Sequence, residues 1–353
     1  MKLPKLADFA FRDKTVLLRL DLDIPLKDGK IEDDTRIKES LPTIKCLLDQ
    51  QAKVILLGHL GRPQGKVVDE FKLSPVAEKL GKLLMANGKW QMEIRQLADK
   101  CQNFAGYQIS ENVFLLENLR FDSREESNDE IFARELAQLG DFYVDEAFAT
   151  SHRAHASIVG IPKFLPHAAG LHFASEVENL SKIIENPKKP LVFVIGGVKP
   201  ETKLPMVVDF AKTADWVLVG GTLVQSSSRQ RRDKVQSYNL KCKIVYGNLT
   251  HGGFDIDEIS IRKFSEIIKN AGTVVWNGPM GKYEGEKWET GTRKIAEAMA
   301  SCLGFKVVGG GDTIAALTKF GLIDKMDYVS TGGGAMLEFL AKRTLPGIEA
   351  LTN

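Results

Sequence analysis

The chain has 353 residues, of which 43% are hydrophobic and 27% charged, and its formal net charge is only +2. This length exceeds the size at which one hydrophobic core usually stops growing, so two domains are expected. The near-neutral charge argues against a general binder of nucleic acids or other polyanions, and no apolar run is long enough to span a membrane.

Short β-rich runs alternate with helical patterns along the first half of the chain. We predict strands over 15–20, 54–57, 113–116 and 142–144, and helices over 34–50, 74–87 and 128–139. Ser74 is the expected N-cap of the second helix, with Pro75 at its first position. Such alternation predicts a parallel sheet with helices on both faces, which binds ligands at the carboxyl ends of its strands.

The pattern pauses around residues 162–174, before a long helix expected over 174–185 that the segment Asn186-Pro-Lys-Lys-Pro190 ends. We interpret this helix as the connector between a domain of residues 1–173 and a domain of residues 174–336. Alternation then resumes, with strands expected over 191–195, 216–219, 273–276 and 306–308 and near Tyr328. The fold class predicted is α/β, with two doubly wound, Rossmann-like lobes with parallel sheets, joined by an interdomain helix.

Arginines and histidines lie at or near the ends of the predicted strands of the first half. The arginines there are Arg19, Arg36, Arg62, Arg120 and Arg153, and the histidines are His59, His152 and His155. A single arginine is usually part of a surface ion pair, but several at one edge of a sheet would bind a small substrate carrying carboxylate and phosphate. His59 is the strongest histidine candidate, because it lies between Gly58 and a Leu-Gly-Arg turn. The other histidines, His167, His172 and His251, are interpreted as structural.

The predicted strands of the second half end in glycine instead. These glycines are Gly196-Gly197, Gly220-Gly221, Gly278, Gly309–Gly311 and Gly332–Gly334. Glycine lets backbone N–H groups approach a phosphate closely, so this half is expected to bind a nucleotide. Asp312 and Thr313 precede a helix expected over 314–320; they would either cap it or, with a phosphate at the helix end, place Mg²⁺ on Asp312. The segment matches neither a dinucleotide fingerprint nor a P-loop.

Two lysines flank Pro200-Glu-Thr directly after Gly197. A helix beginning near Pro200 would place Lys203 on its first turn, with Lys199 just before it. Such lysines are usually surface residues, but beside a glycine loop they can neutralise the charge of a transferring phosphoryl group. The basic segment 226–232 is interpreted as a solvated loop, because no aromatic residues interleave with it; nucleic-acid contact is the alternative.

The cysteines and the N-terminus indicate a cytoplasmic protein. The four cysteines, Cys46, Cys101, Cys242 and Cys302, are scattered without a Cys-x-x-Cys pair, which favours inert thiols over a metal or redox role. Lys2 and Lys5 are followed by no long apolar core, so no secretory signal is expected.

Eight segments resemble the phosphoglycerate kinase family and run in family order through the chain. They are Arg19-Leu-Asp-Leu-Asp-Ile-Pro25, Gly58-His-Leu-Gly-Arg-Pro63, Leu115-Leu-Glu-Asn-Leu-Arg-Phe121, His152-Arg-Ala-His-Ala-Ser157, Gly196-Gly-Val-Lys-Pro-Glu-Thr-Lys203, Trp276-Asn-Gly-Pro-Met-Gly281, Gly309-Gly-Gly-Asp-Thr313 and Ser330-Thr-Gly-Gly-Gly-Ala335. The resemblance implies a monomeric, hinge-bending glycolytic enzyme. It would transfer a phosphoryl group between 1,3-bisphosphoglycerate and ADP, giving 3-phosphoglycerate and ATP, with Mg²⁺. It also implies that residues 337–353 return to the N-terminal domain.

The resemblance further implies three sets of site residues. The glycerate substrate would be bound by Asp21, Asp23, Arg36, His59, Leu60, Gly61, Arg62, Arg120 and Arg153. The nucleotide would be bound by Gly197, Lys199, Lys203, Gly221, Asn277, Glu284, Gly310, Gly311, Asp312 and Thr313, with Glu284 at the ribose and Asp312 at the metal. Arg36, Lys199 and the amides of Gly332 and Gly333 would stabilise the transferring group. These residues are cations and amides, so we expect direct in-line transfer, with domain closure completing the site.

Several positions depart from the family pattern. Asp23 stands where the family usually has asparagine, which places a carboxylate beside an anionic substrate. Gly58 replaces a common serine, and Ala149 a frequent glycine. The stretch between Gly221 and Trp276 is shorter than the family norm, which leaves the nucleotide base open. The alternatives are a non-catalytic or altered-nucleotide descendant acting as a binding protein, and a nicotinamide-dependent dehydrogenase, whose fingerprint the chain lacks.

Overall fold

The computed structural model describes residues 2–85, 95–101, 104–198, 200–226 and 242–353. The chain divides into two compact units, one formed by Met1–Val177 with Thr344–Asn353 and the other by Glu178–Arg343. Each unit contains a sheet of mainly or wholly parallel strands with helices between them, so the predicted α/β class is confirmed. None of the helices in the described ranges is long and apolar enough to cross a membrane.

The first unit is built around a sheet that has seven strands within the described ranges. The strands of this sheet are β1 (Thr15–Arg19), β4 (Lys53–Leu57), β5 (Arg95–Cys101), β6 (Phe104–Ser110), β7 (Val113–Leu116), β8 (Phe142–Asp145) and β9 (His167–Ala169). Two further strands, β2 (Leu26–Lys27) and β3 (Lys30–Ile31), form a separate small hairpin. The helices of the first unit are α1 (Thr35–Asp49), α2 (Ser74–Met85), α3 (Ser123–Glu126), α4 (Glu130–Ala137) and the start of α5 (Leu171–Glu185). The strand order is β5-β6-β7-β4-β1-β8-β9.

The five strands from β7 to β9 are parallel, and β1 lies at their centre. The apolar runs of β1 and β4 are buried, and Val16, Leu18, Val54 and Leu56 pack in one core cluster with Ile37 and other residues of α1. Burial on both faces explains why these strands read as continuous apolar runs in the sequence.

Some predicted details of the first unit are wrong. Strands β5 and β6 were not expected and pair antiparallel at the sheet edge, where the polar composition of β5 carries no strand signal. Helix α2 begins at Ser74 rather than after it, because the carbonyl of Leu73 accepts the first helical bond from Ala77 N at 2.9 Å. The last two residues of the helix predicted over 74–87 lie outside the described residues.

The second unit contains a wholly parallel sheet of six strands within the described ranges. These strands are β10 (Leu191–Ile195), β11 (Trp216–Val219), β12 (Lys243–Tyr246), β13 (Thr273–Asn277), β14 (Phe305–Gly309) and β15 (Tyr328–Ser330). Its helices are α6 (Pro200–Phe210), α7 (Leu223–Ser226), α8 (Glu258–Lys269), α9 (Thr290–Ser301), α10 (Gly311–Lys319) and α11 (Gly334–Lys342). A last short helix, α12 (Pro346–Ala350), groups with the first unit, where Gly347 N donates to Ser151 O at 2.9 Å.

The strand order of the second sheet is β12-β11-β10-β13-β14-β15. Numbered along the chain, this is the Rossmann order 3-2-1-4-5-6, in which the direction of winding reverses between the first and the fourth strand. Here that switch point lies between β10 and β13, whose residues Ile195 and Asn277 are in register. In such sheets ligands bind in the crevice outside the carboxyl ends of the strands at the switch point.

Candidate active site

The carboxyl ends of β1, β4 and β8 bring the predicted residues of the first unit together. Arg19, the last residue of β1, is in register with Leu57 of β4 and Asp145 of β8. His59 follows β4 by two residues, and its Nδ1 lies 2.9 Å from Arg19 Nη2. The strongest histidine candidate of the sequence therefore lies at the centre of this edge, against a fully buried arginine.

His59 is an uncharged hydrogen-bonding group. Burial lowers its pKa well below the ordinary value, and the charges of Arg19 and Arg120 lower it further. Its Nε2 lies 3.9 Å from Asp23 Oδ2. The imidazole is therefore suited to donating a hydrogen bond to a substrate oxygen rather than to pairing with it as a cation.

The two predicted aspartates have different surroundings. Asp21 is buried, and its carboxylate accepts from Ala149 N at 2.7 Å and from Thr150 Oγ1 at 2.6 Å, so it organises the loop after β8. Asp23 Oδ1 accepts from Gly61 N at 2.9 Å, while the backbone oxygen of Asp23 accepts from Arg36 Nη1 at 2.6 Å. The structure thus joins Asp23, Arg36 and Gly61 through these two hydrogen bonds.

Gly61 is held tightly in this arrangement. Its φ is +64°, and a Cβ there would clash with the ring of Phe71. Its carbonyl accepts from Arg120 Nη1 at 2.8 Å, and the buried Arg120 Nε lies 3.3 Å from Glu126 Oε1. Burial lowers the pKa of Arg120. Glycine at position 61 is therefore required both by its backbone conformation and by the approach of Phe71.

The remaining predicted residues of this set are Leu60, Arg62 and Arg153. Leu60 is buried and Arg62 is exposed, on either side of Gly61 in the chain. Arg153 is half-buried and close enough for its charge to lower the pKa of His59, His155 and Arg120. Arg19, Arg120 and Arg153 therefore form one electropositive cluster around His59.

In the second unit, glycines bring the ends of β10 and β13 together at the switch point. Gly196 N donates to Asn277 O at 3.0 Å and Gly197 N to Pro279 O at 2.9 Å. Gly278 has a φ of +94°, and a Cβ there would clash with the carbonyl of Gly196. Lys203 lies on the first turn of α6, as predicted, and its Nζ donates to Gly196 O at 2.7 Å.

Asn277 and Thr313 are buried and tie neighbouring strand ends together. Asn277 Nδ2 donates to Gly309 O at 2.8 Å, and Thr313 Oγ1 accepts from Gly278 N at 2.7 Å. Helix α10 begins at Gly311, three residues earlier than predicted, because Gly310 takes a φ of +93° and acts as the N-cap. The side chains of Asp312 and Thr313 do not cap α10, since both lie within its first turn, and Asp312 is exposed there.

A cavity of about 330 Å³ opens at the switch point. Four of its lining residues belong to the predicted nucleotide set: Gly197, Gly221, Glu284 and Asp312. Thr222, Phe254 and Tyr283 also line it and were not predicted from the sequence. Phe254 is 51% exposed and, with Tyr283, supplies aromatic surface of the kind that a planar base packs against.

The glycines of the last motif form the start of α11. Gly333 has a φ of +53° and is the N-cap residue, while Gly332 N donates to Ser330 Oγ at 3.1 Å. Two parts of the chain for which the sequence made a prediction, Lys199 and most of the basic segment 226–232, lie outside the described residues. The same holds for the thiol of Cys101.

A glycine-lined cavity at the switch point of a sheet with Rossmann order is typical of a nucleotide-binding protein. Comparison with known proteins defines the protein further. The family model described as phosphoglycerate kinase matches residues 6–242 and 226–343. The phosphoglycerate kinases of Roseiflexus castenholzii and Finegoldia magna are 40% and 38% identical over 387 aligned positions, with 98% of each chain covered.

Solved structures agree with this assignment. The phosphoglycerate kinase structure from Coxiella burnetii has a TM-score of 0.82 and 35% identity, and covers 99% of both chains. That from Pyrococcus horikoshii has a TM-score of 0.80 and 30% identity, and covers 99% of this chain and 98% of its own. The chain belongs to the phosphoglycerate kinase family.

Membership of this family confirms the predicted enzyme class. The chain is a phosphotransferase of glycolysis that acts on small molecules and uses ATP and ADP as substrates. The alternative of a non-catalytic binding protein is not favoured, because the match extends over nearly the whole chain. The 387 aligned positions exceed the 353 residues of the chain, so the chain lacks segments that its relatives contain.

Proposed function

We propose that the N-terminal domain, residues 1–173, binds 3-phosphoglycerate and 1,3-bisphosphoglycerate, and that the C-terminal domain, residues 174–336, binds Mg-ATP and Mg-ADP. The observation that carries this assignment is the difference between the two strand-end edges. One gathers arginines around a neutral histidine, and the other surrounds a cavity with glycines and aromatic rings. The first suits a small anion, and the second suits a nucleotide.

The cationic edge fits a substrate that carries both a carboxylate and a phosphate. Arg36, Arg62, Arg120 and Arg153 supply guanidinium groups, which bind these anions in a bidentate way. His59 adds a neutral N–H donor suited to a hydroxyl or carboxylate oxygen. Leu60 and Gly61 form the turn that supports these side chains, and Asp21 holds the opposing loop.

The cavity of the second unit fits a nucleoside phosphate. Phe254 and Tyr283 would pack against the base, and Glu284 would accept hydrogen bonds from the ribose hydroxyls. Gly197, Gly221, Gly310 and Gly311 would bring backbone amides to the phosphates, with Lys203 beside them and Lys199 contributing its charge. Asn277 and Thr313 would act indirectly, by holding the strand ends in place.

The residues present fit Mg²⁺ at Asp312. This carboxylate is exposed on the first turn of α10 and lines the cavity, and Mg²⁺ in such sites is bound through one or two carboxylates together with substrate phosphates. The ion would neutralise phosphate charge when bound. Asp312→Asn should raise the Mg²⁺ concentration needed for half-maximal turnover and leave the KM for 3-phosphoglycerate unchanged.

The transfer itself is proposed to be a single in-line displacement. The attacking oxygen of ADP is already anionic, so alignment and charge screening suffice without a strong base. Arg36, Lys199 and the amides of Gly332 and Gly333 would stabilise the charge on the transferring group. The test uses ATP made chiral at its γ-phosphoryl group: one displacement inverts the configuration, whereas retention would demonstrate a covalent phosphoenzyme and refute the proposal.

The activity is tested by a coupled assay with 3-phosphoglycerate and Mg-ATP, repeated with Mg-GTP to define the base preference. Turnover that requires both Mg²⁺ and 3-phosphoglycerate supports the proposal. Thermal stabilisation by Mg-ADP without turnover would instead favour a binding protein.

We further propose that the protein is a cytoplasmic monomer. The described cysteines Cys46, Cys242 and Cys302 are free thiols, as a reducing compartment favours, and light scattering tests the monomer.

A further inference from the structure

A line of buried hydrogen bonds runs through the first unit from Glu125 to His59. Ser157 donates to the Glu125 carboxylate twice, from Oγ to Oε1 at 2.6 Å and from N to Oε2 at 2.9 Å. Arg19 Nε donates to the same Ser157 Oγ at 2.8 Å, and Arg19 Nη2 lies 2.9 Å from His59 Nδ1. All four side chains are almost completely buried.

The chemistry of arginine fixes the direction of every bond in this line. A guanidinium group has donors only, so Ser157 Oγ must accept from Arg19 and must direct its single hydrogen to Glu125. For the same reason His59 Nδ1 must accept. A neutral imidazole whose Nδ1 accepts carries its proton on Nε2, and Nε2 is the nitrogen on the Asp23 side of the ring, 3.9 Å from Asp23 Oδ2.

We infer that Glu125, Ser157 and Arg19 are positioning residues for the substrate: they hold His59 in the tautomer that presents an Nε2–H donor to an oxygen of the bound phosphorylated hydroxy acid. This inference rests on the proposed function, because the glycerate substrate is the molecule that His59 would contact. The three residues come from separate elements: Glu125 lies in α3, Ser157 in a single π-turn (Ala156–Gly160) and Arg19 at the end of β1.

The charges around His59 favour this neutral tautomer. The charges of Arg19 from β1, Arg120 from the turn Leu119–Phe121 and Arg153 from the loop after β8 all oppose a second proton on the ring. Burial and the same arginines lower the pKa of His155 to about 3, so it too is neutral. The carboxylate of Asp23 is the opposing influence.

Glu125 completes the line as the counter-charge of a fully buried arginine. Burial raises the pKa of Glu125, while the charge of Arg19 and the two bonds from Ser157 lower it. Both carboxylate oxygens accept hydrogen bonds, which favours the ionised form. A buried charge without a partner is strongly unfavourable, so Ser157 links two charges that each require the other.

The tautomer is measured directly in the full-length protein. Two-bond ¹H–¹⁵N spectra of the chain labelled with ¹⁵N-histidine report which ring nitrogen carries the proton, and His59→Gln assigns the signal. At neutral pH we expect a protonated Nε2 and an unprotonated Nδ1. A proton on Nδ1, alone or in addition, would overturn the inference. Because this readout needs no turnover, it separates failure of the inference from failure of the proposed function.

Ser157→Ala tests the line between the two charges. Arg19 loses the acceptor that holds its Nε, so the guanidinium group is free to turn away from His59 Nδ1 and the His59 signal should show a mixture of tautomers. The KM for 3-phosphoglycerate should rise by about threefold to tenfold, with kcat changed much less. Ser151→Ala is the matched control, since Ser151 is equally buried but donates to Phe148 O, outside the line; tautomer and KM should stay as in the parent protein.

Glu125→Gln provides a second variant should Ser157→Ala fail to fold. Its amide has one acceptor oxygen, so it can accept only one of the two hydrogen bonds that Ser157 donates to Glu125, and the counter-charge of Arg19 is lost. The same mixture of tautomers and the same rise in KM are expected. An unchanged His59 signal together with an unchanged KM, in either folded variant, would overturn the positioning role.

Discussion

Replacing Asp23 by asparagine is expected to strengthen binding of 3-phosphoglycerate. Asp23 Oδ1 accepts a hydrogen bond from Gly61 N at 2.9 Å, and an asparagine Oδ1 can keep this bond. The change removes a negative charge beside the neutral His59 and the arginines of this edge. It also replaces Oδ2, which lies 3.9 Å from His59 Nε2, by an N–H₂ donor that attracts an anion.

The size of the expected change in KM follows from the charges and from the exposure of the Asp23 side chain. Two unit charges 4 Å apart interact by about 1 kcal/mol in water and about 4 kcal/mol at an effective dielectric constant of 20. The Asp23 side chain is 47% exposed, so solvent screening places the repulsion near the lower figure. About 1 kcal/mol corresponds to a decrease of about fivefold in the KM for 3-phosphoglycerate. Because the charge acts on bound substrate before and during transfer, kcat should change little.

The assay is coupled steady-state turnover of Asp23→Asn at low and high salt, with saturating Mg-ATP. The gain in affinity should shrink as salt increases, since it arises from charge repulsion at a half-exposed site. Asp13→Asn, which neutralises a carboxylate that is 89% exposed, is the control and should leave KM unchanged. A KM that rises in Asp23→Asn would refute the reasoning and show that the carboxylate itself accepts a hydrogen bond from the substrate.

Three further predictions concern the transferring group, the base and the fold. Arg36→Ala should lose on the order of 10²-fold in kcat, and Lys199→Ala should lower kcat with little change in KM; a loss confined to KM would make either residue a binding residue only. Phe254→Ala should raise the KM for ATP severalfold and leave that for 3-phosphoglycerate unchanged, and an equal rise in both would contradict the assignment of the cavity. Burial raises the pKa of Asp145 from 3.8 to about 8, so the native state retains a proton that the unfolded state releases, and this contribution to stability is lost as the pH rises from about 4 to 8. Asp145→Asn should therefore flatten the fall in melting temperature between pH 5 and 8, and an unaltered slope would exclude Asp145 as its source.

Much of the fold could be predicted from the sequence because parallel strands buried on both faces appear as short apolar runs. The strands that became β1, β4, β10 and β13 lie within one residue of their predicted limits. Strand β5 was missed because it is polar and lies at the sheet edge. The start of α10 was missed because it depends on the left-handed conformation of Gly310, which no hydrophobic pattern reveals.

The sequence by itself determined which residues follow the strand ends, among them His59, Gly197, Gly221 and Asp312. It also determined that the residues of each sheet's strand ends lie at one edge, because the carboxyl ends of parallel strands meet there. Only the tertiary structure decided which neighbours these residues have. Phe254 reaches the cavity from a loop far along the chain, and Ser157 meets Arg19 across 138 positions. Such contacts depend on strand order, which decides which residues become neighbours. They also depend on burial, because a buried donor or acceptor cannot hydrogen-bond to water and must bond to the neighbour that folding places beside it.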